Sequence, residues 1–452
     1  MLSKLFSLGP SRRIRAVGGL CVFTAVSLLA ADRSFTPYPS VKPLVLPPEL
    51  RNLNQSKWLA WVKRRDKAIR ARLQQGDLDS LVNLLLFGTS FTSQARVHIE
   101  SLAEASKSGV LRARVDDLVA GLHSPGSNVR LKALQHLVPD DPAEAGKFVY
   151  SQLLRVLQER RALAARAAAE PPPDRPDDPA SLMDRASFFR DRGVSLDTGI
   201  IPSFIVEQTL RDLKQRGVLQ EGRVARVAVL GPGLDFIDKN EESAYDYYPP
   251  QTLQPFAIYD SLLRLHLAGT VSLSVLDISP RVLDHVQRAR ARAAANSGYV
   301  IQLPRDVSRS WPPDLVDYWN SLGDQVAAPV APTRPPGIFA GLQTRAVQIR
   351  PDIVRACEPV DLDVVVERLD LAPPDRFDLI VATNIFVYYD KFEQSLALEN
   401  VTAMLNSGGL LLTNDRLPET PAGSVHLAGV TVIPFDAPGL SARQAVGWYQ
   451  KR

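Results

Sequence analysis

Cysteine is nearly missing, with two residues in a chain of 452. That excludes a disulfide scaffold and any zinc site built on cysteine. Histidine is scarce as well: His98, His123, His136, His266, His285 and His426 are scattered. None forms a His-x-x-x-His pair or a carboxylate–histidine set suited to a metal. Excess charge is small, a formal +4, and no DNA- or RNA-binding signature accompanies it, which argues against nucleic acid as a partner. Arg288, Arg290 and Arg292 alternate along an apparent helix and read as a solvated face. Ser90, in FGTSFT, lacks the flanking glycines of a nucleophile elbow.

Acid is absent from residues 1–31. There Lys4, Arg12, Arg13 and Arg15 precede an apolar run over 16–31, the pattern of a signal peptide. The run ends in Leu29-Ala30-Ala31 without a clean A-x-A cleavage site, and it is shorter than the roughly 20 residues a spanning helix needs. The expectation is a signal peptide or membrane anchor, and hence a membrane-associated or exported protein. No other segment approaches spanning length.

Proline, in contrast, is abundant: 35 residues, 17 of them in three stretches at 32–50, 170–179 and 303–336. Because proline fixes φ and removes a backbone donor, such clusters punctuate folded blocks. The first two read as linkers, 32–50 and 170–182, on either side of a helical domain at 51–169. Within that domain VDDLVAGLHSPGSNVRLKALQHLV, 115–138, reads as two amphipathic helices around a Ser-Pro-Gly turn, similar to one HEAT-type hairpin. This domain is the part expected to bind another protein.

From 183 to 452 the pattern alternates strands and helices. Strands are expected at 225–230, 271–276, 363–367, 378–383, 409–413, 428–434 and 444–450, with helices at 202–216, 254–268, 280–296 and 391–406. The first five strands are short, mostly apolar and bounded by Gly, Asp or Asn, as parallel strands buried on both faces are. The succession is βαβ and the fold class α/β, a doubly wound sheet preceded by a small all-α domain. The third proline cluster falls between the second and third strands and marks an insertion at about 303–345. A second insertion, about 235–253, is acidic and rich in tyrosine (Tyr245, Tyr247, Tyr248) and reads as a lid or substrate loop.

Ligands bind such sheets at the carboxyl ends of the strands. Gly231 and Gly233, around Pro232 in VLGPG, allow a sharp turn and close backbone approach. Asp277 ends the second strand in VLDIS, where an acid can accept hydrogen bonds from ribose hydroxyls. Asp370 and Leu371 follow the expected third strand, and Asn384 leaves the fourth. Asp378 stands at the start of its strand, on the wrong edge for ligand, and reads as structural.

These motifs, with RLDLAPPDRFDLIVATNIFVYYD at 368–390 and MLNSGGLLLTND at 404–415, resemble the class I S-adenosylmethionine-dependent methyltransferases. Within 377–415 the resemblance is nearest to the chemotaxis-receptor glutamate methyltransferases. It implies a Rossmann-like methyltransferase sheet with a reversed C-terminal hairpin, S-adenosylmethionine as cofactor, and methyl transfer to an unidentified acceptor. Gly231, Pro232 and Gly233 would admit the methionine and ribose portion, Asp277 the ribose, and Asp370 with Leu371 the adenine. Asn384 and residues 385–389 would face the acceptor. No catalytic base is assigned; Tyr388, Asp235 and Tyr247 are candidates. The chain departs from the family in three ways: Val229 stands where an acid is usual, Asp235 takes the third glycine position, and 46 residues separate Gly231 from Asp277 where roughly 20 are expected. Thr383 also stands where the chemotaxis enzymes have an arginine before the asparagine. Glutamate as acceptor is therefore not carried over. Two alternatives stand beside this reading: an inactive methyltransferase-like binding or assembly module at a membrane, and an NAD(P)-dependent oxidoreductase. An active enzyme would need the cytoplasmic face, where its cofactor is made.

Overall fold

The computed structural model describes residues 32–452 apart from 53, 170–182, 184–198, 236–244, 309, 340, 420–423 and 438–439. The expected N-terminal anchor and the second proline linker lie outside the described residues. Among those described, no helix is long and apolar enough to cross a membrane.

The chain enters through strand β1 (Arg33–Phe35) and a short helix α1 (Tyr38–Val41). This segment is not a free linker. β1 pairs antiparallel with Glu367–Leu369, and Val41, Leu44 and Leu50 are buried. A single helix of 33 residues follows, α2 (Gln55–Phe87), capped by the Asn54 side chain on the Lys57 N–H. Then come α3 (Leu102–Lys107), α4 (Val110–His123), α5 (Val129–Leu134) and α6 (Pro142–Ala169). α4 and α5 flank the expected Ser-Pro-Gly turn, and Asn128 caps α5. Leu118 and Leu122 of α4, Leu131 and Leu134 of α5, and Leu81, Leu84 and Leu85 of α2 share one apolar core. Arg114 is buried in it, its guanidinium donating to the carbonyls of Leu85, Gly88, Gln94 and Ala95.

After α7 (Ile200–Gln215) the alternation begins: β2 (Arg226–Leu230), α8 (Gln254–Arg264), β3 (Ser272–Asp277), α9 (Pro280–Ala294). The insertion is folded, and Leu303, Leu315, Tyr318 and Val347 join the same apolar core as Val227 and Leu273. β4 (Tyr299–Asp306), α10 (Pro313–Ser321), β5 (Ala327–Val330) and β6 (Leu342–Ile349) make a three-stranded antiparallel sheet in the order β4-β6-β5. The chain returns through α11 (Pro351–Ala356), β7 (Cys357–Asp361), β8 (Glu367–Leu369), β9 (Phe377–Ala382), α12 (Lys391–Met404), β10 (Leu405–Thr413), β11 (Val425–Ala437) and β12 (Leu440–Lys451).

Seven strands form the main sheet in the order β11-β12-β10-β9-β2-β3-β7. β10, β9, β2, β3 and β7 are parallel, and β12 runs antiparallel to both β10 and β11. Val227, Ala228 and Val229 of β2 are fully buried, because helices cover both faces of the central strands. Asp378 is structural: its carboxylate accepts the N–H groups of Ala225 and Arg226 and so ties β9 to the entry of β2.

One expected strand is corrected. Residues 363–367 do not join the sheet; the third strand is β7, just before them. Asp363 explains the difference. Its side chain accepts the Val365 N–H and its carbonyl the N–H groups of Val366 and Glu367, which closes a turn where a strand would have run straight. β7 carries Pro359, which an edge strand tolerates because one side of it needs no partner.

Candidate functional site

The strand order reverses at β2: the chain builds outward to β3 and β7, then returns to β9 and β10 on the other side. A crevice forms at the carboxyl ends at such a point. β2 leaves the sheet through Gly231, whose N–H donates to the Leu276 carbonyl at 2.8 Å. Gly231 and Gly233 both adopt positive φ, +57° and +69°, which favours glycine. A Cβ on Gly231 would stand 2.3 Å from Cδ1 of Ile385, so the turn and the chain after β9 are in intimate contact. Beside the turn, β3 ends in Asp277, and Ser279 starts α9 with Pro280 in its first turn.

These pieces enclose a crevice of about 50 Å³ beneath an open mouth. That is below the roughly 300–1,000 Å³ of small-molecule sites, with the Ile385 side chain standing over the Gly231 turn. Its floor is Leu230, Gly231, Gly233 and Leu276. One wall is Asp277, Ile278, Leu362 and Val364, and the other is Ile385, Tyr388 and Tyr389. The lining is chiefly apolar, with one carboxyl group in it. Burial pushes the Asp277 carboxyl up to about 7; the N–H groups of Ser279 and Ile278 and the charge of Arg70 act against burial, and Asp361 acts with it. The Ser279 N–H donates to Oδ1 at 2.7 Å.

Helix α2 lies along this rim. Arg70 donates to Asp361 at 2.6 Å and to the Ile278 carbonyl at 3.4 Å, and Arg72 to the Tyr388 carbonyl at 2.8 Å. Leu73 packs on Leu234 and Val282, Asp77 pairs with Arg281 at 2.9 Å, and Arg65 pairs with the buried Glu393. Nothing in the spacing of these charges distinguishes them from a solvated helix face, which is why the sequence did not reveal the contact.

Of the expected residues, Gly231, Gly233 and Asp277 are brought together in the cavity, with Pro232 between the glycines in the same turn. Asp370 and Leu371 are not. Asp370 follows β8 in the two-stranded sheet with β1, its N–H donating to the Asp32 carbonyl and its half-exposed carboxylate 3.6 Å from Arg368. The positions that follow the true third strand, Leu362 and Val364, occupy the wall instead. Asn384, at φ +58°, interlocks with Asn414: each makes a 2.8 Å hydrogen bond to the other, joining the ends of β9 and β10. It supports the rim and is not among the lining residues.

Among the candidate bases, Tyr388 lines the cavity. Asp235 accepts from the Tyr248 hydroxyl at 2.7 Å and from Gln251 at 3.2 Å. Tyr247 packs edge-on against Tyr245 and Tyr248 and beside Phe339, and burial raises its phenol further from ionisation. Much of the expected tyrosine-rich lid, 236–244, lies outside the described residues. Its end is anchored: Asp246 accepts the N–H groups of Thr89 and Ser90 and the Thr89 hydroxyl, and Arg130 donates to the carbonyls of Asp246 and Tyr248. Ser90 thus serves this anchor. Among the described residues no cluster of His, Cys, Asp and Glu could hold a metal ion.

No family model matches the chain, and no curated protein matches it. Solved structures do align. TrmN from Thermus thermophilus is 11% identical, over 55% of this chain and 49% of that one, with a TM-score of 0.25. MtNAS, in complex with MTA and tNA, is 10% identical over 86% and 97%, at 0.26. Magnesium protoporphyrin IX methyltransferase (ChlM) from Synechocystis PCC 6803, with bound SAM, is 8% identical over 56% and 81%, at 0.26. Scores this low carry no functional weight, so function has to be read from the cavity itself.

Proposed function

We propose that the cavity binds S-adenosylmethionine and that the protein transfers its methyl group to an acceptor. The observation that carries this reading is the meeting of Gly231, Gly233 and Asp277 at the switch point of the sheet, with strand order β7-β3-β2-β9-β10-β12-β11. In it β11 and β12 are the reversed C-terminal hairpin of the methyltransferase sheet, and the helices of 51–169 are the small all-α domain before it. The antiparallel β12 also sets the sheet apart from the nicotinamide-binding order.

The residues fit such a cofactor. Gly231 and Gly233 hold positive φ, so the turn presents bare backbone toward the crevice. Asp277, as the carboxylate, accepts from ribose hydroxyls. Ile278, Leu362 and Val364 offer an apolar slot for a flat base. Bound there, the cofactor supplies a methyl group already activated on a sulfonium. The chain then has mainly to hold donor and nucleophile in line and keep water out, a role for Ile385, Tyr388 and Tyr389. A general base is needed only for an acceptor that must lose a proton. Tyr388 is then the one candidate of the three that lines the cavity.

Val229 in place of an acid and the Ile385 side chain over Gly231 favour a second reading, a methyltransferase-like binding module. In either case residues 1–31 would tether the body to a membrane, on the cytoplasmic side for an active enzyme, and the helical block would present the surface for a protein partner. Calorimetric titration of the full chain with S-adenosylmethionine separates these ideas from error. Saturable binding that is lost in Gly231→Ala and Asp277→Ala is the expected result. Absence of binding by the unmodified chain sinks the cofactor assignment, and binding unchanged in both variants sinks the site.

A further inference from the structure

Asp277 and Asp361 are register partners on the adjacent parallel strands β3 and β7. Their side chains leave the same face of the sheet about 5 Å apart, an arrangement in which like charges repel. Asp277 nevertheless offers both oxygens as acceptors to the two ribose hydroxyls only as a carboxylate, since protonation turns one of them into a donor. The structure places a cation between the two strand ends, and it comes from the helical block. Arg70 of α2 donates to Oδ1 of Asp361 at 2.6 Å and to the carbonyl of Ile278, the residue after Asp277, at 3.4 Å. It is held by Asp66 on its own helix at 2.6 Å and reaches Glu367 at 3.3 Å. Arg33 covers the other oxygen of Asp361 at 2.9 Å. Burial works against the charge of Arg70, but hydrogen bonds to Asp361 and Asp66 outweigh it and leave the guanidinium more firmly charged than an ordinary arginine.

We infer that Arg70 is a positioning residue for the candidate site, holding Asp361 and the Ile278 carbonyl so that Asp277 faces the ligand as a carboxylate. This rests on reading the cavity as a nucleoside site. Among the described residues, Asp277 is faced by Asp361 from β7, Arg70 from α2, and Tyr388 and Tyr389 from the turn after β9. Arg70 is the cation among them. Its removal strands Asp277 beside Asp361, and the removal of Asp361 relieves Asp277. The two substitutions therefore move Asp277 in opposite directions, which a simple staple between α2 and the sheet does not require.

The test follows the Asp277 carboxyl in the full chain labelled with carboxyl-13C aspartate, its resonance identified by its loss in Asp277→Asn. In Arg70→Gln the midpoint of titration rises by about one pH unit, in Arg70→Lys it stays near that of the unmodified chain, and in Asp361→Asn it falls. At pH 7 a rise of that size weakens S-adenosylmethionine binding about fivefold, and the loss closes by pH 9, where the carboxylate is restored. An unchanged midpoint in Arg70→Gln overturns the inference, as does a loss of affinity equal at pH 7 and pH 9. Should Arg70→Gln fail to fold, Asp361→Asn decides: a midpoint that does not fall overturns it. If the unmodified chain binds no S-adenosylmethionine, the cofactor assignment fails, while the midpoints still judge Arg70.

Discussion

Residues 81–87 at one end of α2 and residues 65–77 in its middle belong to one helix but attach to their surroundings by different physics. The first stretch gives Leu81, Val82, Leu84, Leu85, Leu86 and Phe87 to an apolar core, all fully or almost fully buried. The second meets the sheet through Arg65, Arg70, Arg72 and Asp77, with Leu73 as its apolar contact on Leu234 and Val282. Apolar burial is non-directional and stabilises in proportion to area. A charged seam gains little net energy, because desolvation offsets attraction, but it fixes position and sets the protonation of what it touches. One end of α2 anchors the helix, and the middle tunes the site.

Leu85→Ala should have the largest effect on folding. A fully buried leucine removed from a packed core costs about 2–5 kcal/mol, read from denaturant unfolding, and the cavity chemistry should be untouched in the folded fraction. Arg65→Gln should cost less, about 1–2 kcal/mol. It leaves the buried Glu393 without its cation, and that carboxyl, already raised by burial, can take a proton instead. The loss should therefore shrink toward pH 5. If it equals that of Leu85→Ala, the contrast between anchor and seam is wrong.

Asp277→Asn should act in the opposite sense. In the fold the Asp277 carboxyl is raised to about 7, so the native state binds a proton more tightly than the unfolded chain does. Stability from this group is fully present below pH 4 and is lost as pH rises toward 7. The asparagine variant lacks that loss. It should be more stable than the unmodified protein at pH 8, with the gap closing toward pH 4, while it binds ligand poorly. Lys147→Ala is the reference at the small end. Lys147 pairs with Glu144 across one turn of α6, and both are largely exposed, so unfolding curves should superimpose.

The same contrast explains what could be read from the chain. β2, β3, β9 and β10 were legible because strands buried on both faces must be continuous apolar runs, and Gly231 and Asp277 followed from where those runs stop. β7 was not legible. Its CEPVD carries a proline and two acids, admissible only because it lies at an edge, and DVVVE nearby has the composition of a strand but turns on Asp363. That misplacement moved the expected adenine contact to Asp370, outside the cavity. The segment 32–50 looked like a linker because proline marks breaks in helices and strands, and breaks in packing need not coincide with them. Arg70 was invisible for a simpler reason: a charged helix residue has the same pattern whether it faces water or another element's carboxylate.

The pH dependence of S-adenosylmethionine affinity tests the central claim, that Asp277 holds the ligand as a carboxylate beside the Gly231 turn. Dissociation constants for the full chain should fall as pH rises from 6 to 8, levelling off above the Asp277 midpoint, and Asp277→Asn should bind weakly with no such dependence. Affinity that is flat across this range in the unmodified chain, or a slope that survives in Asp277→Asn, places the ligand on other residues.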